Sequence, residues 1–131
     1  MRKILVIVLA LATGISCSSD DEVIDNVGGA PNAIDDAVST EMDFPVVIDV
    51  LSNDAAGDNP LDQTSVRIEK EATNGTTSIN SDNGEITYLP DAQFSGTDTF
   101  RYKVCDTGDP QRCDTATVTV TVTDFGGGGD L

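Results

Sequence analysis

From about Asn32 the chain is written in short alternating runs. In "DTATVTVTVTD", Ala116, Val118, Val120 and Val122 occupy every second position, with Thr115, Thr117, Thr119 and Thr121 between them. A period of two is that of a strand, whose successive side chains point to opposite faces. One apolar face and one hydroxyl face put one side in a core and the other in water. "DTFRYKVC" alternates likewise, with Phe100, Tyr102 and Val104 inward and Thr99, Arg101, Lys103 and Cys105 outward. Similar runs rich in Val, Ile, Thr, Phe and Tyr, separated by Asn, Asp, Gly and Pro, predict seven strands at roughly 34–40, 46–51, 65–71, 76–80, 85–89, 98–105 and 114–123. "PVVIDVLSND" alternates less strictly and is expected to be more buried. Asn83-Gly84 reads as a two-residue hairpin turn, and Asn74-Gly75 as a second of the same kind. No window carries a helical stripe. The pattern predicts a single all-β domain over 32–124, an antiparallel β-sandwich of about seven strands.

The chain before this domain has a different texture. Residues 1–16, "MRKILVIVLALATGIS", place two basic residues ahead of an unbroken apolar and small run. That run is shorter than the ~20 residues a bilayer core needs. A basic start, a short apolar stretch and small residues describe a secretory signal peptide that is removed. Residues 17–31 then give Cys17 and "SSDDEVIDNVGGAP", acidic, small and Gly/Pro-punctuated, which reads as a flexible tether. Residues 125–131, "FGGGGDL", read as a flexible glycine-rich tail.

Charge narrows the function. The whole chain carries 23 acidic and 7 basic residues, and loss of 1–16 removes Arg2 and Lys3, leaving 5 − 23 = −18. Such a surface repels phosphate backbones, which excludes nucleic acid as a partner, and it can select and steer a basic protein. Histidine is absent, so neither a Ser-His nor a Cys-His arrangement exists. The chain is read as no enzyme. A glycan-binding module wants exposed aromatics, and Tyr88 and Phe94 are the candidates.

Three cysteines leave one odd. If Tyr102 faces Ala116 and Phe100 faces Val118, the same register puts Lys103 opposite Thr115 and Cys105 opposite Cys113. The two sulfurs then come within reach of a disulfide. A zinc site would need another spacing and histidines. Cys17 is left single.

These residues resemble the bacterial Ig-like, cadherin-like repeat domains of surface proteins. The carrying motifs are Asp35-Asp36, "IDVLSND" at 48–54, "NGT" at 74–76, "GEITYLP" at 84–90, "FSGTDTFRY" at 94–102 and the closing "TATVTVTV". The resemblance covers essentially 32–123, in one copy rather than the usual tandem array. It implies a sandwich used as a spacer, adhesion or scaffold module, with no cofactor required. Calcium binding in that family carries over to Asp35, Asp36, Asn53 and Asp54, with Asp58 nearby, a set of hard oxygens suited to Ca²⁺. The same residue types commonly cap turns. "GISC" resembles a bacterial lipobox, in which cleavage precedes the cysteine and Cys17 receives a diacylglycerol. The serine-acidic run after it resembles the surface-export signal of Bacteroidota lipoproteins. The expectation is an outer-membrane lipoprotein exposed at the cell surface, with adhesion or envelope scaffolding as its role. The alternative is a glycan- or calcium-binding accessory module of an outer-membrane complex, whose partner is another surface protein or a glycan.

Overall fold

A computed structural model describes residues 29–124. The leader 1–16, Cys17 with the tether up to residue 28, and the tail 125–131 lie outside the described residues. The strands are β1 Asp36–Glu41, β2 Val46–Ile48, β3 Leu61–Lys70, β4 Gly75–Ile79, β5 Ile86–Pro90, β6 Gly96–Asp106 and β7 Cys113–Thr123. Each predicted strand has its counterpart. They form one sheet in the order β1-β7-β6-β3 and a second in the order β2-β5-β4, an all-β Ig-like sandwich.

The register of the two longest strands follows from their alternation. Phe100 pairs with Val118, Tyr102 with Ala116, and Cys105 with Cys113. Any one-residue slip would turn the apolar set of each strand to water, so burial of one face fixes the pairing. Val118, Val120, Val122, Phe100, Tyr102 and Val104 accordingly line the core, facing Ile48, Val50, Ile86 and Tyr88. Tyr88 of β5 stacks on Phe100 of β6 with ring centroids 6.2 Å apart, joining the two sheets. The disulfide Cys105–Cys113 closes the β6–β7 connection as the register requires.

Not every neighbour is antiparallel. β1 runs parallel to β7, Val38 opposite Val120, and covers that side of the long strand. The chain then leaves for the other sheet at β2, which is only three residues long. β2 ends at Ile48, short of the predicted 51, because Val50–Asn53 wind into a 3-10 turn. Ser52 closes that turn by donating both its N–H and its hydroxyl to the Asp49 carbonyl, at 3.1 and 2.9 Å. Val50 is buried as expected, but Val47 is 59% exposed, so the segment is buried on one face only.

Both Asn-Gly turns differ from expectation. The β4–β5 hairpin pairs Ile79 with Ile86, so the loop runs from Asn80 to Glu85 rather than over two residues. Asn80 closes it by donating its N–H to the Glu85 carbonyl at 2.8 Å, and its side chain accepts the Asp82 N–H at 2.9 Å. Within this loop Gly84 takes a positive φ, +83°, which a side chain would strain. Gly75 is no turn residue but the first of β4, and a Cβ there would lie 2.6 Å from Tyr88 Cζ. Its smallness makes room for the Tyr88 ring.

Candidate functional site: aspartates around two buried tyrosines

Tyr102 stands at the centre of β6 with its ring fully buried, and its hydroxyl emerges where the β1 entry and the turn after β2 meet. The hydroxyl lies 2.7 Å from Asp54 Oδ2 and 3.2 Å from the Val50 carbonyl. With a single proton it donates to the carboxylate, the shorter and charged acceptor. Asp54 Oδ1 accepts the Ile34 N–H at 2.7 Å. One carboxylate thus holds the incoming strand to the core through both of its oxygens. Asp35 Oδ1 accepts the Thr117 N–H at 2.9 Å, and Asn53 donates to the Asp35 carbonyl at 3.2 Å.

Asp36 differs from its neighbours. Its Oδ2 is buried without a hydrogen-bond partner. Burial, and then the charge of Asp54, push its carboxyl up to about 6. Asp54 is raised as well, chiefly by burial, though its hydrogen bonds from Ile34 and Tyr102 oppose the shift. Burial together with the Asp54 carboxylate holds the Tyr102 phenol well above its usual range. Two carboxyls in one half-buried site favour a proton on one of them, and Asp36 is the one with a buried oxygen left unpartnered.

Four of the five predicted calcium ligands therefore converge, but as turn and strand fasteners. The oxygens of Asp54 are taken by Ile34 and Tyr102, and Asp35 is turned to Thr117. Asp58 faces elsewhere, 3.9 Å from the Arg112 guanidinium. Among the described residues no three acidic, histidine or cysteine side chains are placed to hold a metal ion. The residues as they stand do not form the six- to eight-oxygen shell Ca²⁺ takes.

A second hub was missed by the sequence reading. Asp98 of β6 is 4% exposed and accepts from the Thr73, Asn74 and Thr99 N–H groups at 3.1, 2.8 and 2.9 Å, and from the Tyr88 hydroxyl at 2.8 Å. It lashes the β3–β4 crossover to the core. The signal was present, because Asp98 shares the inward parity of Phe100, Tyr102 and Val104. A third aspartate, Asp106, is fully buried and accepts the Gly108 and Arg112 N–H groups at 3.0 and 2.9 Å, shaping the loop inside the disulfide. Those backbone donors hold its carboxyl below the usual carboxylate range.

Neither of the two aromatic candidates for a glycan platform is presented to solvent as one. Tyr88 is completely buried and Phe94 is packed against the core. Among the described aromatic residues only Phe44 stands out, 53% exposed.

Comparison with known proteins follows this architecture. The model of the Bacterial Ig domain family matches residues 28–123. Curated proteins yield no match. Among solved structures, protocadherin gamma C5 EC1-3 is similar at 13% identity, with a TM-score of 0.45 over 71% of this chain and 33% of that one. A nucleoside hydrolase-related hypothetical protein from Saccharophagus degradans, associated with carbohydrate metabolism, gives 14% identity and a TM-score of 0.46 over 73% of this chain and 26% of that one. An endo-fucoidan hydrolase of glycoside hydrolase family 107 gives 16% and 0.49, with 92% of this chain covered but 16% of the enzyme. The chain thus spans a third or less of these proteins. With the family match extending over the whole described sandwich, this chain belongs to the bacterial Ig domain family.

Proposed function

We propose that this chain is a non-enzymatic surface module, one Ig-like domain carried on a lipid at Cys17 and used for adhesion or envelope scaffolding. The observation that supports it most is how the chemically capable side chains are spent. Asp54, Asp98 and Asp106 each take backbone N–H groups, and both tyrosine hydroxyls are tied to carboxylates, Tyr88 to the buried Asp98 and Tyr102 to the half-buried Asp54. Such an interior makes a rigid body whose outward faces, rather than a cleft, meet a partner. The signal-like 1–16, the lipobox-like "GISC" and the acidic run after it support display at the outer membrane. Two acyl chains suffice for stable anchoring.

The test is the Cys17→Ala variant in the native host. The full chain should fractionate with the outer membrane and be cut by protease added to intact cells. The variant should leave the membrane fraction. An unchanged distribution of the variant would end the anchor reading, and protease resistance in intact cells would end the display reading.

A further inference from the structure

The outward face of the four-stranded sheet carries a charge pattern that contradicts the rest of the molecule. Beyond residue 16 the chain has five basic residues, and four of them, Arg67, Lys70, Arg101 and Lys103, sit on β3 and β6. The register puts Arg67 opposite Lys103, and a bulge after Ile68 brings Lys70 opposite Arg101. Directly opposed residues have Cβ atoms ~5 Å apart, and like charges so placed are destabilising. The two pairs are one alternation apart on β6, ~7 Å along the strand. A chain with 23 acidic residues could have set a carboxylate opposite each cation, yet among the described residues none of the four is ion-paired within 4.0 Å.

Protection of an exposed edge accounts for part of this at most. β3 is an edge strand, where lysine and arginine discourage pairing with other chains. β6 is central, with neighbours on both sides, and has no edge to guard. Arg101 and Lys103 need another reason.

Their surroundings supply one. Lys103 is flanked by Thr115 and Arg101 by Thr117 on β7, and Arg101 Nη2 donates to Thr115 Oγ1 at 3.1 Å. Arg67 spends Nη1 on the Thr64 and Val66 carbonyls, which fixes the guanidinium in place. Arg67 and Lys103 border an open hollow of about 330 Å³, with Asp62, Thr64 and Gln111 also on its walls. Cations bordered by hydroxyl, amide and carboxylate groups suit a ligand with isolated anionic groups among many hydroxyls. At physiological salt a charge is felt over only ~8 Å, about the size of this patch. A densely charged polymer would extend onto the acidic remainder and be repelled, whereas one with neutral sugar units between its charges would not.

We infer that the β3–β6 face, through Arg67, Lys70, Arg101 and Lys103, binds an acidic polysaccharide, a hydroxyl-rich chain bearing carboxylate or sulfate groups. This names a partner for the proposed surface module and rests on that reading. It is measured on purified protein, so its failure leaves the anchoring test untouched.

The experiment immobilises the full chain in detergent and measures binding of sparsely sulfated dextran, sparsely carboxymethylated dextran and unmodified dextran. The charged dextrans should bind and the neutral one should not, with affinity falling as salt rises. Arg101→Gln/Lys103→Gln and Arg67→Gln/Lys70→Gln should each weaken binding about tenfold or more, the sum of several exposed charge contacts. Glu69→Gln, which removes a carboxylate beside the cations, should strengthen it. Melting temperatures of the first two variants should stay level or rise, because opposed like charges are relieved. Failure of both charged dextrans to bind would overturn the inference, as would unchanged binding by the double variants. Binding of polyglutamate or phosphatidylglycerol vesicles in place of the dextrans would assign the face to an acidic protein or a lipid instead, and would overturn it equally.

Discussion

Replacement of Asp36 by Asn separates proton chemistry from packing at the tyrosine cluster. Asp36 Oδ2 is buried with no partner, and the groups facing it are Asp54, Asn53, Tyr102 and Asp35. Its carboxyl rises from 3.8 to about 6 on folding. A raised carboxyl means the folded state holds the proton more tightly than the unfolded chain. The associated stability is fully present below about 3.8 and is lost as pH climbs through about 6. At ~1.4 kcal/mol per unit the full shift would correspond to ~3 kcal/mol. Asp36 is only half-buried, and solvent screening reduces this to about 1 kcal/mol. Asn is nearly isosteric with the protonated acid and cannot ionise. Asp36→Asn should therefore stabilise the protein at pH 8 by about 1 kcal/mol, a rise of roughly 4–8 °C in Tm for a domain of this size. At pH 4 the gain should vanish. The assay is thermal unfolding followed by circular dichroism at pH 4, 6 and 8 with the disulfide intact. A gain of equal size at all three pH values, or a loss at pH 8, would refute the reasoning.

Other contacts of the fold make their own predictions. Asp98→Ala strands the Thr73, Asn74 and Thr99 N–H groups and the Tyr88 hydroxyl, and should cost about 3–5 kcal/mol, read as a fall in urea midpoint with little change in slope. A loss under ~1 kcal/mol would mean that water replaces the carboxylate. The Cys105→Ala/Cys113→Ala pair opens a loop with a sequence separation of 8 and should cost about 2.5 kcal/mol in the chain-entropy account. Thiol titration of the unreduced wild-type chain should find neither of these two cysteines free.

The fold was most legible where one face of a long strand is apolar and the other polar. Strict alternation in β6 and β7 leaves one workable register, and the disulfide follows from it without further information. Legibility failed where tertiary contacts decide. Nothing local says that Gly75 is a glycine because Tyr88 lies over it, so Asn74-Gly75 looks like a turn. Asn83-Gly84 is in a turn, but the Ile79–Ile86 pairing, set by burial of Ile86, makes the loop longer. Tyr88 looked available as a platform because a strand alternation does not say which tyrosine hydroxyl can reach a buried carboxylate. Of the residues the motif grouped, Asp35, Asp36, Asn53 and Asp54 meet near Tyr102 and Asp58 does not, and the donors to Asp54 and Asp35, Ile34 and Thr117, come from the chain entry and from β7. The four cations were visible one by one as outward residues. Only the β3–β6 register, with its bulge, brings them face to face.

If the sandwich is displayed from a lipid on Cys17, the mass of the mature amino terminus shows it. Protein purified from the host membrane in detergent should begin at Cys17, with the cysteine heavier by a diacylglycerol and without a free thiol. A mature chain that begins at Met1, or that carries an unmodified Cys17, would contradict the account.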